Sequence, residues 1–129
     1  MKKKHFYLVM LVGILALNFM GCVSTVDTHS APVNTSLDGD WDRGDIIVTI
    51  SGNKGVFSKI NTNYNRNPGR KVGDQRFRNI TKVDDLKWSA QESFTGDNWR
   101  NSIIIMSADD RTIRVSNQGY PDDIYTRVK

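Results

Sequence analysis

Few residues in this 129-residue chain could carry bond-making chemistry, and their positions narrow the choice further. The two histidines, His5 and His29, and the one cysteine, Cys22, all lie near the N-terminus. Neither a Cys–His pair nor a Ser–His–Asp triad can be assembled beyond them, because both need an imidazole beside the nucleophile. A zinc site of His and Cys is excluded from that region for the same reason. Carboxylates remain. Glu92 is the only glutamate, and it alternates onto one face with Trp88 and Phe94, where burial would raise its pKa and suit it to acid or base work. The competing expectation, which we favour, is a carboxylate near a strand end, partly exposed or paired with an arginine. Asp84-Asp85, Asp109-Asp110 and Asp122-Asp123 offer oxygens to calcium, but each falls in a tight turn, where aspartate bonds its own backbone. None has the spacing of a calcium loop. The sequence therefore predicts no enzyme, no cofactor and no metal.

Residues better suited to binding lie in the longest non-apolar segment, Asn61–Lys71. It combines Tyr64, three basic residues and four asparagines around a Pro68-Gly69 turn. Connections of this length in compact domains are often functional. Tyr64, Arg66 and Arg70 are candidate contacts for an acidic partner, a glycan or membrane phosphates; the plain alternative is a solvated loop. Arg76 and Arg78 extend the candidate surface. Arg78, Ile80 and Lys82 alternate onto a face opposite Phe77, so a basic stripe is expected to run outward from the loop.

The elements that must position these residues read as strands throughout. Asp45–Ser51 is β-branched and continuous, Ser51–Gly55 is a turn cluster, and Val56–Ile60 returns as the second arm of a hairpin. Phe77–Val83 and Leu86–Phe94 flank Asp84-Asp85, Trp99–Ser107 and Arg111–Ser116 flank Ala108–Asp110, and Ile124–Val128 follows a Gly119–Pro121 turn. No segment past the N-terminal region has a helical apolar stripe. The fold class expected is all-β: a small antiparallel up-and-down β-barrel of about eight strands, since an open meander would leave edges that invite aggregation. Leu86, Trp88, Ala90, Glu92 and Phe94 share one face. So do Ile46, Val48 and Ile50; Ile113 and Val115; and Trp99, Ile103 and Ile105. These sets are expected to line the interior. Ile104 and Met106 fall on the other face of their strand, which is then covered on both sides or presents an apolar outer patch.

Leu37-Asp-Gly39-Asp-Trp41, followed by a strand, Gly52 and Gly55-Val-Phe57, resembles the opening of calycin barrels, the lipocalins and avidins. The resemblance implies a Gly-x-Trp motif that opens the first strand, with Trp41 plugging one end of the barrel. It also implies that Arg127, near the end of the last strand, packs across Trp41. The chain departs from typical lipocalins in length. Residues 37–129 spread over eight strands leave roughly seven residues each, or about 23 Å. Trp41, Trp88, Trp99, Phe57, Phe77 and Phe94 are expected to fill much of that volume and leave at most a shallow mouth. The ligand-binding polar set of the avidins cannot be placed here, so biotin binding is not expected.

The N-terminus reads as an address. Lys2, Lys3 and Lys4 precede an apolar run from Phe6 to Met20 that is shorter than the roughly twenty residues needed to span a bilayer. Its ending, Phe19-Met20-Gly21-Cys22, resembles the lipobox of bacterial lipoproteins, although Phe19 stands where Leu is usual and Met20 where a small residue is usual. This implies a signal peptide over 1–21, lipidation of Cys22, and an exported protein held by acyl chains in the cell envelope, with the outer membrane the expected home. The alternative is an ordinary cleaved signal that leaves Cys22 a free thiol. Residues 22–36 are rich in Ser, Thr and Val, lack aromatics, and are expected to form a flexible tether ahead of a barrel domain over 37–129. Without the signal the chain carries 15 basic and 14 acidic residues, so its basicity gives no support for nucleic-acid binding.

Two functions follow as expectations. One is a lipid-anchored, lipocalin-like binding protein, taking a small lipophilic ligand at the barrel mouth. The other is an interaction or inhibitor barrel that grips an envelope protein through its loops. Ser51–Gly55 resembles the Ser- and Gly-rich loop of periplasmic lysozyme inhibitors, but one cysteine cannot form the disulfide common among them.

Overall fold

The computed structural model describes residues 36–66, 68–95 and 97–129. The expected signal peptide over 1–21, Cys22, His29 and the expected tether up to residue 35 lie outside these described residues. Eight strands follow in order: β1 (Gly39–Asp42), β2 (Ile46–Ser51), β3 (Lys54–Ile60), β4 (Gln75–Asp84), β5 (Lys87–Ser93), β6 (Trp99–Met106), β7 (Thr112–Asn117) and β8 (Asp123–Arg127). Each pairs antiparallel with its sequence neighbour, and β8 pairs back onto β1 through Trp41 opposite Arg127 and Asp42 opposite Thr126, closing the barrel. Closure leaves no strand with a free edge.

Period-2 alternation explains most of the interior. Ile46, Val48 and Ile50 of β2, Trp88 and Ala90 of β5, and Ile113 and Val115 of β7 are all buried. Phe57, Phe77 and Tyr125 fill the centre between them, with Phe77 edge-on to Tyr125 at 6.2 Å between centroids. Phe77 reaches that position across Gly55, where an added Cβ would lie 3.0 Å from the Phe77 ring and 3.1 Å from Val48. Glycine is what allows the ring so close to the β3 backbone.

The turns show which aspartates serve their own backbone. The Asp84 carboxylate accepts from the Asp85 amide, and Asp109 accepts from the Arg111 amide and the Ser107 hydroxyl. Asp123 differs. It begins β8 and is buried, and its carboxylate is directed to arginines rather than to a turn.

Two strands depart from the alternation expected of them. In β6 the inward residues are Ser102, Ile104 and Met106, whereas Trp99, Ile103 and Ile105 face outward. The run Ile103–Met106 is apolar on both faces, so its pattern cannot choose. The choice follows from pairing, with Ser102 opposite the inward Ala90 and Ile104 opposite the inward Trp88. Trp99 instead lies outside, with the Arg78 guanidinium 4.0 Å from its ring.

In β4, Arg76 and Phe77 are both buried, as is Ile80. Register shifts lie against β3 at Gly55/Val56 and against β5 between Arg78 and Thr81, and Asn79 takes a positive φ of 54°. Each bulge inserts a residue and resets which side faces in. The basic stripe expected over Arg78, Ile80 and Lys82 is therefore broken, because Ile80 joins Phe77 inside.

Candidate ligand site at the barrel mouth

Up-and-down winding gathers the β1–β2 turn, the β3–β4 loop, the β5–β6 turn and the β7–β8 turn at one end of the barrel. Here the interior changes from apolar to ionic. Arg43 follows β1 and holds Asp45 through two hydrogen bonds, Nε to Oδ1 and Nη2 to Oδ2, both 2.7 Å. Its Nη1 donates to Asp123 Oδ2 at 2.9 Å. The other Asp123 oxygen accepts from Arg66 Nη1 at 2.5 Å.

Arg76, turned inward by the bulge, bonds Glu92 through Nη2 and donates from Nη1 to the Ser93 carbonyl at 2.7 Å. Glu92 Oε2 accepts from Asn117 Nδ2 and lies 3.4 Å from the Ser102 hydroxyl oxygen. Ser102 also donates to Asn117 Oδ1 at 2.5 Å. Glu92 is fully buried, so it is paired with an arginine as expected but not partly exposed. Among the described residues, no three of His, Cys, Asp and Glu gather as a metal-ligand set.

The electrostatics follow from this packing. Burial alone would lower the pKa of Arg43, but the hydrogen bond to Asp45 and the charges of Asp123 and Asp45 raise it beyond the ordinary arginine value, joined by Tyr125 only where its phenol is ionised. Burial would also lower Arg76, and Tyr125 and Glu92 outweigh it. Asp45 is the converse case: burial pushes its carboxyl up, and the Arg43 hydrogen bond and charge pull it below the usual range. Burial pushes the Tyr64 and Tyr125 hydroxyls up, with Arg76 opposing in part. The Tyr125 hydroxyl feels the Arg76 charge without making a well-aligned hydrogen bond to it.

Most of the β3–β4 loop is exposed, but three of its side chains turn back onto this end. Tyr64 packs against Phe57 at 5.9 Å between centroids and sits under the Arg43 guanidinium at 5.7 Å. Arg66 reaches down to Asp123, and Arg70 Nη2 donates to the Phe94 carbonyl at 3.0 Å. Of the five candidate binding residues, Tyr64 thus packs inward through its ring, Arg66 and Arg70 hydrogen-bond to the barrel end, with Arg66 still 58% exposed, and Arg76 is buried at the floor. Arg78 alone lies on the outer wall, donating to Gln91 Oε1 and stacked on Trp99.

Beside the loop a pocket of about 330 Å³ opens, lined by Arg66, Arg76, Ser93, Phe94, Asn117, Tyr120, Pro121 and Asp123. Its apolar wall is the Phe94–Tyr120 pair, 5.2 Å between centroids, with the Arg100 guanidinium about 4 Å from each ring. Three buried polar atoms at this site have no hydrogen-bond partner: Ser93 Oγ, Arg76 Nε and Arg100 Nη1. Phe94 and Trp99, expected inside the barrel, belong respectively to this pocket and to the outer wall.

The opposite end holds Gly39, Trp41 and Arg127. Trp41 is fully buried and donates from Nε1 to the Leu37 carbonyl at 2.8 Å. The Arg127 guanidinium lies 4.2 Å from its ring centroid and donates to the carbonyls of Asp110, Asp38 and Ser36. Gly39 has a φ of 134°, and a Cβ there would meet Arg127 Nη1 at 2.9 Å, so the site needs glycine for both backbone and space.

Sequence reasoning passed over Arg43, Asp45, Asn117, Asp123 and Tyr125. One signal could have found two of them. Asp123 and Tyr125 share the period-2 face of Arg127, so placing Arg127 over Trp41 places both of them inward. Compared with protein-family models, curated proteins and solved structures, the chain matches none of them, and a functional reading must rest on this geometry.

Proposed function

We propose that this chain is a cell-envelope binding protein, a small calycin-like barrel tethered through a lipidated Cys22, that takes a small ligand at its mouth. The single observation carrying the ligand reading is the pocket of about 330 Å³ at this end of the barrel, whose lining combines the charged Arg66, Arg76 and Asp123 with the aromatic Phe94 and Tyr120. Its volume is near the lower end of the range for small-molecule sites, about 300–1,000 Å³. The lining supports an amphiphile over a purely lipophilic guest, because an aromatic wall faces an ionic floor. An inhibitor acting through the β3–β4 loop draws less support, since Tyr64, Arg66 and Arg70 are committed to the barrel end.

Native mass spectrometry of the full chain, purified gently from its host, tests the ligand reading. We expect a co-purifying molecule of small mass, released on unfolding and lost in a Phe94→Ala/Tyr120→Ala variant. A uniformly empty protein, or a ligand held equally well by that variant, would overturn it. The tether is tested separately. Replacing Cys22 with Ser should move the protein from membrane to soluble fractions, and a mutant that still pellets after a high-salt wash would remove the lipid anchor.

A further inference from the structure

We infer that the outer wall of the barrel carries a second site, a shallow groove that takes an uncharged oligosaccharide. The groove holds about 610 Å³ and shares no lining residue with the pocket at the mouth. Four strands contribute to it. Ser89 and Gln91 of β5 and Asn101 and Ile103 of β6 point outward, because Trp88, Ala90, Ser102 and Ile104 point inward. Register sets them in two rows. Gln91 lies opposite Asn101, and Ser89 lies opposite Ile103, which in turn faces Ser116 of β7. Asn79 joins from β4, where the bulge gives it a positive φ of 54° that asparagine tolerates better than most residues. Gln118 follows β7 on the far side. Crossing four strands takes about 14 Å, three spacings of about 4.8 Å, which suits a short chain of sugars rather than one.

The lining chooses the occupant. Charged residues make up 25% of the chain, yet none lines the groove. Arg78 borders it and is committed, with Nε donating to Gln91 Oε1 at 2.9 Å and the guanidinium stacked on Trp99. The same Gln91 oxygen accepts from Asn79 Nδ2 at 3.0 Å, and Gln91 Nε2 lies 3.4 Å from Asn101 Oδ1. These contacts hold three amides side by side along the groove. Each amide both donates and accepts, as does each serine hydroxyl. Saccharide hydroxyls do the same, so they meet such a lining with no charge left over on either side. The half-buried Ile103 adds an apolar spot for the C–H face of a sugar ring. An anion finds no cation in the lining. An extended peptide cannot add as a strand, because β5, β6 and β7 are each paired on both sides.

The test is a titration of the ¹⁵N-labelled full chain, read at the side-chain amide signals of Asn79, Gln91, Asn101 and Gln118. Cellotriose, maltotriose and triacetylchitotriose are the neutral probes. Glucose, trigalacturonate and triserine are the comparators for length, for charge and for a polar peptide. We expect saturable shifts at these amides from at least one neutral trisaccharide, bound about tenfold more tightly than any comparator. Gln91→Ala/Asn101→Ala should weaken that binding about tenfold or more, since two hydrogen-bonding groups are removed, with the backbone spectrum otherwise retained. Gln118→Ala, at an exposed position outside the strands, should weaken it about threefold and serves as the second variant if the first fails to fold. The absence of saturable shifts from all three trisaccharides would overturn the inference. So would a comparator bound as tightly as the best of them, or unchanged binding by a folded variant.

Discussion

The two ends of the barrel each turn arginine toward the interior, half-buried Arg127 at one and buried Arg76 at the other, but they satisfy it in opposite ways. At the Trp41 end one guanidinium, Arg127, lies over an indole and donates to the carbonyls of Ser36, Asp38 and Asp110. It joins the segment before β1, the β6–β7 turn and β8 through backbone carbonyls and a contact to Met106 Sδ at 3.7 Å, with no carboxylate. At the mouth, Arg43, Arg66 and Arg76 are met by carboxylates, and several polar atoms are left without partners. Carbonyl acceptors suit a plug, since no second ion has to be desolvated. Ion pairs gain little net stability because both charges must leave water. What the mouth has instead is a pocket lined by both charged and aromatic side chains.

The comparison can be broken first at the plug. Trp41→Ala should lower stability by about 3–5 kcal/mol, read by urea unfolding; a loss under about 1 kcal/mol would show that Trp41 does not plug that end. At the mouth, Glu92→Leu leaves Arg76 only its longer contact with Asp123 at 3.6 Å and should cost about 3 kcal/mol. The double variant Arg76→Met/Glu92→Leu should then recover most of that loss, because an apolar pair can replace a buried ion pair. A double variant as unstable as the single one would mean that the pair stabilises the barrel outright. Arg127→Met should cost about 2 kcal/mol through the lost ring contact and hydrogen bonds, with no second substitution that restores it.

The smallest expected effect is on pH dependence. Asp45 titrates below its ordinary value of 3.8, so its contribution is present above that value and is lost as pH falls through the lower folded one. Tyr64 and Tyr125 titrate above 10.0. Their contribution is present below 10.0 and lost as pH rises through the folded values. Urea midpoints should therefore be level through neutrality and fall at both extremes. Asp45→Asn should flatten the acid limb; an unchanged limb would place its source elsewhere.

Much of the barrel is legible in the chain. Hairpins show because β-branched runs alternate with Gly and Asp turns, and the inward sets of β2, β5 and β7 show because each has one apolar face. Where both faces are apolar, as in Ile103–Met106, alternation has no phase to report, and the pairing of β6 with β5 decides it. Where a bulge intervenes, as at Arg76–Phe77, alternation points the wrong way. The loop was legible as a feature but not as a lid, because Tyr64 and Arg66 find their partners in β3 and β8.

By itself the sequence determined that this region is a closed all-β meander, with Gly39, Trp41 and Arg127 spaced to meet where the last strand returns to the first. Those features are local or depend on a single closure. Only the tertiary structure decided that Arg43, Arg76, Glu92 and Asp123 share one interior. They come from four strands or turns far apart in the chain, and two register shifts set which way Arg76 faces. Charged side chains at such positions look like surface in any local window. The network that buries them exists only once the barrel is closed.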